Sequence, residues 1–169
     1  CRFEGNDAIY GSGAGIYVNY ATPTIDNCQF ISNFAETDGG GLFFYGEEKV
    51  KVSNCLFRSN SCYFDGGGIA SYLPNLEVEN CVFYSNFAEL DGGGGISTGI
   101  GSDLTIRNST FHYNRVDEGS GGALSCGGST TVYNSIFWQY GHLFVDDAFN
   151  DTGFSCSPDK LIIKNSIVE

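Results

Sequence analysis

Apolar and polar residues alternate strictly along Val50-Lys51-Val52-Ser53-Asn54, Leu76-Glu77-Val78-Glu79-Asn80 and Leu104-Thr105-Ile106-Arg107-Asn108. A period of two predicts short β-strands with one face buried. Each stretch closes on Asn, and the inward set continues beyond a bend at Cys or Ser and then at Phe. Asp38-Gly39-Gly40-Gly41-Leu42, Asp65-Gly66-Gly67-Gly68-Ile69 and Asp91-Gly92-Gly93-Gly94-Gly95-Ile96 read as turns leading into a second short strand. No segment keeps an apolar period of 3.6 with caps, so helix is expected to be nearly absent.

These elements recur in register. Asn27, Asn54, Asn80, Asn108, Asn134 and Asn165 follow one another at steps of 27, 26, 28, 26 and 31 residues. Directly after them come Cys28, Cys55, Cys81, Ser109, Ser135 and Ser166, and two residues further on Phe30, Phe57, Phe83, Phe111, Phe137 and Val168. Cys1 and Phe3 fit the same frame. A second Asn stands three residues after each of the first Phe positions: Asn6, Asn33, Asn60, Asn86 and Asn114. One such unit is too thin to bury its own apolar face, and stacking on the next unit solves this.

The expected fold is therefore all-β, a single-stranded right-handed parallel β-helix of about six coils with about 27 residues per coil. Each coil advances about one strand spacing, ~4.8 Å, so six coils make a rod of ~30 Å. Right-handedness follows from the general bias of parallel crossovers. In-register stacking turns Phe3, Phe30, Phe57, Phe83, Phe111 and Phe137 into a ladder of rings. It likewise makes Asn27, Asn54, Asn80, Asn108, Asn134 and Asn165 a ladder of amides bonding to one another at turns. On the outer face Lys51 would lie over Glu77 and Glu79 under Arg107. One domain spans residues 1–169, with regular coils over 1–137, an irregular or cap-like segment over 138–160, and the start of a further coil over 161–169.

Composition narrows the function classes. Asp plus Glu outnumber Lys plus Arg by 20 to 8, a formal charge of −12, which disfavours nucleic acid and anionic membrane as partners. No apolar run is long enough to cross a bilayer as a helix, so no membrane insertion by this segment is expected. The 24 Gly lack a three-residue period, which separates the chain from collagen, and the hydrophobic fraction of 41% separates it from disordered linkers.

Phe-x-x-Asn (Phe3 to Asn6, Phe30 to Asn33, Phe57 to Asn60, Phe83 to Asn86, Phe111 to Asn114) combined with Gly-Gly-(Ala/Ile/Leu) resembles the repeats of polymorphic outer-membrane proteins. It is equally similar to extracellular right-handed β-helix proteins carrying Asn-Cys-x-Phe-x-x-Asn-x-Ala. The resemblance covers residues 1 to about 137 and lapses beyond Phe137, where Tyr140 replaces Asn and the Gly-rich step disappears. It implies a secreted or surface-displayed passenger, adhesive or structural, and says little about activity.

Candidate chemistry is sparse. Cys1, Cys28, Cys55 and Cys81 form one inward column and read as compact core residues, as does Cys62 in the column of Ala8, Ala35 and Ala88. Cys126 and Cys156 lie outside that column, about one coil apart, and are expected to form a disulfide in an oxidising compartment. Asp38, Asp65 and Asp91 recur once per coil, with Asp117-Glu118 continuing the line. They read as turn caps before Gly, as a column of oxygen ligands for Ca²⁺, the one candidate cofactor, or as the carboxylate pair of a glycosidase. No catalytic residues are assigned. Asp146, Asp147 and Asp151 form the single non-periodic acid group, amid Trp138, Tyr140, Phe144 and Phe149. Tyr84, His112 and Trp138 follow the column Phe on successive coils and should face outward, where aromatic rings suit sugar rings or a neighbouring protein. Phe34 and Phe87 share another turn position. Of two glycosylation sequons, Asn108 is expected to be buried in its ladder, which leaves Asn150 as the candidate.

The chain has no Met, opens inside a repeat at Cys1 and ends as a coil begins. The expectation is either an excerpt of a longer passenger or a subunit stacking head to tail on copies of itself. The function expected is thus a non-catalytic extracellular or cell-surface structural protein, either a filament subunit or a fragment of a surface adhesin that meets polysaccharide or a host surface. The alternatives are a polysaccharide lyase or hydrolase, or a Ca²⁺-stabilised carbohydrate-binding module.

Overall fold

The computed structural model describes residues 1–138, 154–156 and 160–168. Tyr140, His142, Phe144, Asp146, Asp147, Phe149, Asn150 and Asp151 lie outside the described residues, and with them most of the segment expected over 138–160. Among the described residues every element is a strand, and every strand pair is parallel.

The chain winds through four sheets in turn. In one coil it runs along Gln29–Ile31, Phe34–Ala35, Leu42–Tyr45 and Lys49–Ser53 before returning at Leu56–Arg58 beside its starting strand. Repetition builds sheets of seven, five, six and six strands. Sequence columns become structural rows: Phe3, Phe30 and Phe57 pair in register, as do Phe57, Phe83, Phe111, Phe137 and Val168.

The Phe row is the centre of the core. Phe30, Phe57, Phe83, Phe111 and Phe137 are fully buried. From Phe3 to Phe137 successive ring centroids lie 5.0, 4.8, 4.7, 4.5 and 4.6 Å apart, with planes within 8° of parallel. Leu, Ile and Val of the two six-stranded sheets close around the rings. The Gly-rich steps make this packing possible. A Cβ at Gly41, Gly68 or Gly95 would stand 3.1 Å from the ring of Phe57, Phe83 or Phe111 and 2.5 Å from a carbonyl oxygen of the next coil. A smaller core of Ala35, Cys62, Ala88 and Val116 lines the five-stranded sheet.

The two Asn columns have different roles, and here the structure corrects the sequence reading. Asn27, Asn54, Asn80, Asn108, Asn134 and Asn165 are exposed and take φ between 48° and 54°. They make the sharp bend into the seven-stranded sheet, a left-handed conformation that Asn tolerates better than most residues. Only Asn80 and Asn54 are linked amide to amide in this column, and Asn54 in turn donates to Asp26. The continuous ladder belongs to the second set. Asn6, Asn33, Asn60, Asn86 and Asn114 pass Nδ2–H to the next Oδ1 at 2.8 to 3.0 Å. Each Oδ1 of the next coil also accepts the backbone N–H of the Asn below it. Asn108 is therefore not buried, because the bend turns its side chain away from the core.

The Cys or Ser after each bend has a matching task. Cys28, Cys55 and Cys81 thiols and Ser109, Ser135 and Ser166 hydroxyls all donate to the carbonyl two residues back. The carbonyls of Ser53, Glu79, Arg107, Tyr133 and Lys164 also accept the backbone N–H of the Asn one coil earlier, so the side chain adds a second, local bond that holds the bend.

The outer charges keep the expected register but choose other partners. Lys51 pairs in register with Glu77, and Glu79 with Arg107. The ion pairs run diagonally instead, Lys49 to Glu77 and Lys51 to Glu79, because a long Lys chain leans along its strand. Arg107 lies over the Tyr133 ring, 4.3 Å from its centroid.

Candidate functional site

Two surface features carry side chains beyond the needs of the coil. The first is the outer face of the seven-stranded sheet. Alternation puts Phe inward, so the residues on either side of it point out. The row after Phe is Arg58, Tyr84, His112 and Trp138; the row before it is Leu56, Val82, Thr110 and Ile136. Together they line a shallow groove of about 770 Å³ running across four coils.

Rings dominate this groove. Tyr84 and His112 stack with centroids 5.6 Å apart and planes 22° apart. His112 meets Trp138 edge to face at 6.1 Å, and His112 Nδ1 lies 3.0 Å from the Trp138 carbonyl oxygen. Trp138 remains 54% exposed and Tyr84 38% exposed. On a chain of charge −12, the groove lining contains no carboxylate and includes Arg58. Sequence reasoning singled out Tyr84, His112 and Trp138 but missed Arg58 and the Leu56–Val82–Ile136 flank. The position on either side of each column Phe was the signal that would have found them. Phe34 and Phe87 face outward on the five-stranded sheet but are separated by Ser61, and Arg115 covers the Phe87 ring at 4.5 Å.

The second feature is a polar cleft of about 420 Å³ beside the Gly-rich turns, with Asp65, Asp91, Tyr72 and Ser97 among its walls. The acidic column is not continuous here. Asp38 accepts the Asp65 backbone N–H at 3.2 Å, and Asp65 accepts the Ser97 hydroxyl at 2.9 Å. Asp65 pairs with Gly92, and Gly92 with Ser120, so Asp91 and Asp117-Glu118 fall out of line. The extra Gly in Asp91-Gly92-Gly93-Gly94-Gly95-Ile96 lengthens the turn while Ile69 and Ile96 stay in register. Burial pushes the Asp38 carboxyl up, and it pushes Asp65 up to about 6, against the lowering effect of Ser97. Among the described residues no three His, Cys, Asp or Glu side chains converge as a metal-binding group, so Asp38, Asp65 and Asp91 are not brought together as one.

Cys126 and Cys156 are joined by a disulfide between in-register neighbours of adjacent coils, with Cα atoms 4.7 Å apart. Cys62 is buried between Ala35 and Ala88, and burial raises its thiol pKa.

A family model described as a right handed beta helix region matches residues 1–78 and 74–169. No curated protein and no solved structure gives a match.

Proposed function

Because the chain belongs to the right-handed β-helix family, whose domains are common in polysaccharide-active enzymes and surface proteins, we propose that it is a non-catalytic binding rod. It works outside the cell or at its surface and holds a neutral or acidic polysaccharide along its aromatic groove. The observation that carries this reading is the row of Tyr84, His112 and Trp138 on successive coils, in a groove lined without a carboxylate. Aromatic faces stack on the apolar faces of sugar rings, and a ring or cation at every coil suits a polymer that also repeats. Arg58 extends the row as a hydrogen-bond fork for hydroxyls or uronate groups. The Cys126–Cys156 disulfide supports an oxidising location. An adhesive passenger is the role that fits a rigid rod with a lateral binding strip. Affinity electrophoresis through gels cast with a panel of neutral and acidic polysaccharides tests this: retardation in at least one gel, reduced in Trp138→Ala, is expected.

One observation favours a second reading, hydrolysis in the polar cleft. Asp65 holds a proton up to a pH of about 6 and shares the cleft with Asp91, as an acid catalyst and a second carboxylate would require. Release of reducing sugar by the purified chain, lost in Asp65→Asn, is its test.

A further inference from the structure

The free thiols of the column stand in a geometry that this chain bridges elsewhere. Leu56 N–H donates to the Cys28 carbonyl, Val82 N–H to that of Cys55 and Thr110 N–H to that of Cys81, so Cys28, Cys55 and Cys81 are stacked neighbours on adjacent coils. Their thiols share one orientation, each donating to the carbonyl two residues back at 3.0 to 3.2 Å. Adjacent strands bring Cα atoms about 4.8 Å apart, inside the span of roughly 4.4–6.8 Å that a disulfide accepts. Cys126 and Cys156 are bonded across the same kind of step, with Cα atoms 4.7 Å apart.

We propose that Cys55 and Cys81 form a second between-coil disulfide, closed as the coils dock during folding in an oxidising compartment. The pairing follows from the column. Above Cys81 comes Ser109, so Cys55 is the thiol neighbour open to Cys81. Both are buried in the main core, whereas Cys28 is only partly buried.

The oxidant is a small disulfide such as oxidised glutathione. One thiol of the pair, Cys55 in this order, attacks one of its sulfurs and passes its proton to the glutathione thiolate it expels, leaving a mixed disulfide. Cys81 gives its proton to a glutathione thiolate, and its sulfur displaces the second glutathione. Two protein thiols and one small disulfide become one protein disulfide and two glutathione thiols. Cys62, flanked by Ala35 and Ala88, has no thiol neighbour in its row and stays reduced.

The test refolds the reduced, denatured chain in glutathione buffers stepped to the fully oxidising end, traps free thiols by alkylation in denaturant, and maps the peptides. A linked Cys55–Cys81 peptide with Cys62 alkylated is expected. Alkylation of both Cys55 and Cys81 at the oxidising end, or a Cys28–Cys55 link, overturns the proposal. Cys81→Ser keeps the fold, since Ser109, Ser135 and Ser166 already occupy this column with the same hydrogen bond. Cys55 should become alkylatable in that variant, and a Cys55 that stays blocked there would reveal another partner and overturn the pairing.

Discussion

Asp65 pairs across the coils with Gly92 rather than with Asp91. One additional Gly in the turn after Asp91 shifts that carboxylate out of the column, and Asp65 is left facing the Ser97 hydroxyl in a partly buried cleft. Its proton is consequently held up to about 6, mainly by burial.

That shift fixes a pH dependence. Below about pH 4 the carboxyl is protonated whether the chain is folded or not, and it costs nothing. As pH rises from about 4 to about 6 the unfolded chain releases the proton first, so stability falls over this window and stays lower above it. Asp38, also pushed up by burial, acts in the same direction. Asp65→Asn should therefore be more stable than the parent at pH 7, by about 1–2 kcal/mol after allowing for solvent screening. The gain should vanish near pH 4. Urea unfolding at both pH values measures it; an equal effect at the two would refute the assignment.

The two Asn columns should respond differently to substitution. Asn60 is fully buried; its Nδ2 donates to Asn86 Oδ1 and the Phe30 carbonyl, and its Oδ1 accepts from Asn33. Asn60→Ala takes the acceptor from the Asn33 backbone N–H and one donor each from Asn86 Oδ1 and the Phe30 carbonyl, a loss of roughly 2–4 kcal/mol. At Asn54, with φ of 54°, Gly should be nearly neutral while Ala costs about 1–2 kcal/mol. Denaturant midpoints of the three variants check the order.

Thr130 is fully buried, stacked between Leu104 and Leu161, and its Oγ1 finds no hydrogen-bond partner among the described residues. Thr130→Val keeps the shape and removes the stranded hydroxyl. It should raise stability by about 1 kcal/mol, read as a higher melting temperature.

The coil, its period and the Phe row were legible because inward residues at a fixed spacing leave a direct trace in the sequence. Phe57 over Phe83 follows from counting alone. The identity of the buried amide ladder did not follow: Asn54 and Asn60 recur equally well, and only the φ of 54° at Asn54 separates a bend residue from a bonded one. The break in the acidic column was hidden for a similar reason, since aligning Asp91 with Asp65 ignores an inserted Gly that the register at Ile69 and Ile96 reveals. The three rings of the groove could be read from outward alternation, at Tyr84, His112 and Trp138. Arg58 and the apolar flank carry the same signal, a position beside a column Phe, and stacking the coils shows that they share one groove.

The binding claim is tested most directly by isothermal titration of the best-retained polysaccharide against the parent chain, Trp138→Ala, Tyr84→Ala and Tyr45→Ala, the last an exposed ring in another sheet. The account predicts roughly tenfold weaker binding for each groove variant, about 1.4 kcal/mol, and unchanged binding for Tyr45→Ala. Equal affinity in all four proteins would contradict it.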